Sequence, residues 1–61
     1  MQDGDELELA KSMVRLYGRD AEAVAAGHAE THADMGERAL SEKWLRVAAM
    51  VKRMRLKRQA G

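Results

Sequence analysis

The sequence predicts an all-α protein, a helical hairpin with a short N-terminal helix, three helices in all, and three observations predict it. Ala, Leu, Met, Glu, Lys and Arg dominate the chain. Proline and phenylalanine are absent, and Tyr17 and Trp44 stand alone as the tyrosine and tryptophan, so helix formers are plentiful and strand formers scarce. Leu40, Trp44, Val47, Val51 and Met54 recur at spacings of four, three, four and three, an apolar seam that Ala48 widens. Gly18 and Gly36 then punctuate the chain where the helical patterns change.

The first helix is expected over about residues 5 to 17, with Leu9, Met13 and Leu16 on its inner face. Gly18, followed by Arg19 and Asp20, has the order of a helix C′ glycine and then an N-cap aspartate, which predicts a bend at residues 18 to 20. The second helix, about 20 to 35, offers Ala21, Val24, Ala25, His28, Ala29, His32 and Met35 as inward positions. Most of these are small, so its axis is expected to approach its neighbours closely, with Gly27 as a close-packing point. Gly36 stops this helix, and Glu37 is expected in the first turn of the third, about 38 to 57, where the macrodipole favours an acid.

Size limits what these helices can do alone. A chain of 61 residues is one domain, here 1–61 with 1–4 and 58–61 expected to fray. At that length only about 60% of the unfolded chain's surface is buried on folding. No cysteine is present to staple the fold. Leu9, Met13, Leu16, Val24, Leu40, Trp44, Val47, Val51 and Met54 are the expected core and interface residues, a thin set to set against an ordering cost of about 1.5 kcal/mol per residue. Leu7, Leu45, Met50 and Leu56 fall off the seams and would be partly exposed on a monomer. A twofold dimer forming a helical bundle is the simplest closed arrangement that covers them.

The longest apolar runs, Ala23 to Ala26 and Val47 to Val51, are far short of the roughly 18 residues that span a bilayer, so no membrane partner is expected. The opening Met-Gln-Asp-Gly-Asp-Glu is acidic and has no apolar h-region, so a cytoplasmic location is expected.

Charge is divided along the chain. Residues 1 to 31 carry seven acids and three bases, net −4; residues 32 to 61 carry three acids and eight bases, net +5. No acid follows Glu42, and Arg46, Lys52, Arg53, Arg55, Lys57 and Arg58 form a basic arm, a candidate phosphate-binding surface. Acids early and bases late also suit the helix macrodipole, and Asp3, Asp5, Glu6 and Glu8 offer a way to neutralise the arm within the chain or across a dimer. The arm has no interleaved aromatics for base stacking.

His28 and His32 lie four apart and project from one face of the second helix, the spacing of helical metal sites. The string His-Ala-Glu-Thr-His is not HExxH, because Glu30 turns to another face, and the helix supplies no third ligand beyond the remote candidate Asp34. Packed histidines are the expected outcome, with no metal or other cofactor. Nucleophilic cysteine is absent, Ser12, Thr31 and Ser41 are the only aliphatic hydroxyls, and there is no glycine-rich phosphate loop, so enzymatic activity is not expected.

From Tyr17 to Met54, through Tyr17-Gly18, Asp20-Ala21, Ala25, Ala29-Glu30, Gly36, seven residues, and the ending Trp44-x-x-Val47-Ala48-x-x-Val51, the chain resembles a class of short bacterial all-helical proteins with no known activity. The likeness covers about two thirds of the chain. Glu37 stands where those proteins usually carry aspartate, and His32 lies near their leucine, so the resemblance lends the histidines no role. It implies a compact helical fold. The sequence as a whole points to a small cytoplasmic interaction module that self-associates, dimer favoured, and binds an unidentified protein. A nucleic-acid-binding dimer is the alternative and metal binding through His28 and His32 the second alternative.

Overall fold

A computed structural model of the chain describes residues 2–60, with side chains described for residues 5–57. It consists of α1 (Gln2–Tyr17), a single 3₁₀ turn (Gly18–Asp20), α2 (Ala21–Asp34) and α3 (Arg38–Ala60), with no strand among the described residues. The all-α class is as expected. The helix count is corrected: helical residues form two uninterrupted arms, 2–34 and 38–60, rather than three separate helices. α1 starts at Gln2 and α3 runs to Ala60, each farther than the expected bounds. Of the ends expected to fray, Met1 and Gly61 lie outside the described residues.

The first arm is continuous because Gly18 redirects the chain in one step. Its φ of 58° lies in the left-handed region that glycine enters at little cost, and the Ala21 N–H donates to the Gly18 carbonyl to close the 3₁₀ turn. No loop residue is needed. Asp20 occupies the predicted N-cap position of α2 but makes no side-chain cap hydrogen bond, because its own backbone is already helical.

α2 ends as a glycine-terminated helix does. Gly36 has a φ of 77°, its N–H donates to the Ala33 carbonyl at 3.0 Å, and the Glu37 N–H donates to the His32 carbonyl at 2.8 Å. Glu37 therefore precedes α3 instead of sitting in its first turn, with its carbonyl accepting from the Ser41 N–H at 2.9 Å. The turn folds α3 back along α2 as a hairpin, and α1 packs against that pair.

The core is made of small side chains. Ala10, Met13, Ala21, Ala25, Ala29, Val47, Ala48 and Val51 are buried, and Val47 is the largest side chain enclosed completely among the described residues. Leu9, Val14, Val24, Trp44, Met50 and Met54 pack around this cluster while staying partly in water. The alanine stripe of α2 thus brings the helices together as predicted, but Gly27 has no part in it. It is exposed, and a Cβ built there would meet nothing within 4 Å.

Candidate interaction surface

Each predicted core position is placed by where α1 reaches along the hairpin. Met13, Val47 and Val51 are buried, and Leu9, Val24, Trp44 and Met54 are partly buried, as the seams require. Leu16 and Leu40 are not. Leu16 is 74% exposed, because it lies in the last turn of α1, where Gly18 turns the chain away and Ala10 and Met13 hold the inward face. Leu40 is exposed in the first turn of α3, beside the hairpin turn. Met35, expected inward, is exposed at the hairpin turn.

The basic arm is divided by its surroundings. The Arg46 Nε donates to Glu6 Oε2 at 2.9 Å, and Glu6 is 5% exposed although it belongs to the acidic start of the chain. Arg55 Nη2 stands 3.0 Å from Glu22 Oε1 on α2. Two of the six candidate nucleic-acid contacts are thereby committed to holding α1 and α2 against α3. Lys52, Arg53 and Lys57 remain exposed, and the Arg58 side chain lies outside the described residues.

The histidines share a face of α2 as their spacing requires and each has a structural partner, but His28, expected inward, is exposed, and only His32 is partly buried. The His28 ring lies on Trp44, centroids 4.5 Å apart and planes tilted by 40°. His32 Nδ1 is 2.6 Å from Glu37 Oε1, tying the end of α2 to the start of α3. Among the described residues no group of three or more His, Cys, Asp or Glu side chains is placed to hold a metal ion.

What the fold leaves open is apolar. Leu7, Leu16, Tyr17, Met35, Leu40, Leu45 and Leu56 are exposed. Leu7, Met50, Arg53, Met54, Leu56 and Lys57 line an open groove of about 800 Å³ where α1 meets the C-terminal half of α3. Three of these, Leu7, Met50 and Leu56, are residues that fall off the heptad seams, so their exposure was legible in the sequence. Their convergence on one groove was not, since it depends on the level at which α1 docks. Glu6 was also missed as a buried residue. Its signal was phase: it falls four and seven residues before Ala10 and Met13, on the buried stripe.

No family model matches the chain, and no curated protein or solved structure is significantly similar to it. Among the described residues, no helix is long and apolar enough to cross a membrane.

Proposed function

We propose that this protein is a small non-enzymatic interaction module that self-associates and binds another macromolecule through its helical faces. The observation that carries this reading is the amount of surface left uncovered. A compact monomer of 6.8 kDa exposes roughly 3,950 Å² by the usual scaling with mass, and this chain exposes 4629 Å². The chain is thus more open than a compact monomer of its mass. The exposed surface is rich in leucine, with Leu7, Leu16, Leu40, Leu45 and Leu56 all exposed.

Thermal unfolding followed by circular dichroism over a hundredfold range of protein concentration tests this reading. Association stabilises the folded chain by mass action, so the Tm rises with concentration. A Tm independent of concentration would contradict self-association.

A nucleic-acid-binding dimer is the second reading, favoured by the exposure of Lys52, Arg53 and Lys57 on a stretch with no acid. It requires binding that falls steeply with added salt. Absence of any retardation of RNA or DNA at low salt would end it.

A further inference from the structure

Resting on the self-association proposed above, we infer that the groove between α1 and α3 is the seat of a twofold homodimer, in which each copy inserts Leu7 into the groove of the other and sets Glu8 against its Arg53 and Lys57. The groove walls are Leu7, Met50, Met54 and Leu56, and its polar rim is cationic, Arg53 and Lys57 lying one helical turn apart on α3. A fitting occupant is an apolar helix face with an acid beside it. The exposed face of α1 in a second copy offers Leu7, 41% exposed, with the exposed Glu8 beside it and the exposed Lys11 one turn farther on.

Charge chooses the second copy and its orientation. α1 carries four acids and two bases and α3 eight bases and one acid, so a twofold that lays the α1 of one copy on the α3 of the other places net acid on net base, twice by symmetry. The same pairing of an α1 acid with an α3 base already operates within the chain, where Glu6 holds Arg46. Leu56, half exposed on the isolated chain, becomes central to the contact.

The test is sedimentation equilibrium of the full chain and of variants at positions exposed in the isolated protomer, with helicity checked by circular dichroism. Wild type should be dimeric, Leu56→Lys monomeric, and Glu8→Lys and Arg53→Glu each weakened about tenfold or more in dimer Kd. The double variant Glu8→Lys/Arg53→Glu should return to within about threefold of wild type, since the pair is restored with its signs exchanged. A wild-type dimer unaffected by Leu56→Lys and by either charge reversal would overturn this interface and leave self-association standing through another face. A wild type monomeric at every concentration would overturn both.

Discussion

Glu6 Oε2 accepts from Arg46 through both Nε and Nη2, each at 2.9 Å, across 40 residues of chain. This contact fixes the level at which α1 docks on α3, and so sets where the groove opens. The carboxylate is buried and the guanidinium about half exposed, so the two are unequal in what their loss would do. Arg46→Met strands a buried charge and is expected to cost about 1–2 kcal/mol, moderated by water reaching the site. Adding Glu6→Leu removes the stranded charge and should recover most of that loss. Urea unfolding of the single and double variants measures both.

Three glycines separate backbone need from packing need. Gly18 and Gly36 have positive φ, and open space surrounds each, so Gly18→Ala and Gly36→Ala should each cost about 1–2 kcal/mol through the backbone alone. Gly27 is helical with nothing near it, so Gly27→Ala should stabilise by about 0.5–1 kcal/mol. Opposite signs in thermal melts are the expected result. A loss at Gly27 would mean that it packs closely after all.

His28 and Trp44 act as a packed pair. Removing the ring in His28→Ala should cost about 0.5–1 kcal/mol, and in a cycle with Trp44→Leu most of that cost should vanish, because the partner face is gone. Chemical denaturation of the four proteins gives the coupling.

Zinc offers a separate check on the same helix face. With His28 stacked, His32 held by Glu37 and no third ligand placed among the described residues, equimolar zinc should leave the Tm unchanged. A rise in Tm that His28→Ala abolishes would restore the metal reading.

The sequence made the helical class, both glycine turns and the buried centre of the α3 seam legible, because these depend on local propensity and on periodicity within one helix. Leu16 and Leu40 were misplaced for the complementary reason. Each is in phase with its own seam, and whether a partner helix stands opposite depends on how far along α3 α1 docks, a relationship between distant segments. Asp20 and Glu37 show a finer limit: Asp20 occupies the predicted N-cap position but makes no cap hydrogen bond, and Glu37 precedes α3 instead of lying in its first turn, because cap geometry depends on backbone angles that residue type alone does not set. The candidate surface was half legible: its off-seam leucines and Met50 could be named, and their meeting could not.

The self-association proposed above covers the exposed apolar surface with a second copy of the chain. Sedimentation velocity of the wild-type protein over a hundredfold concentration range tests it most directly. A mass twice that of the 6.8 kDa chain is expected at high concentration, falling toward one chain on dilution or remaining dimeric throughout. A single species of one-chain mass across the whole range would contradict it.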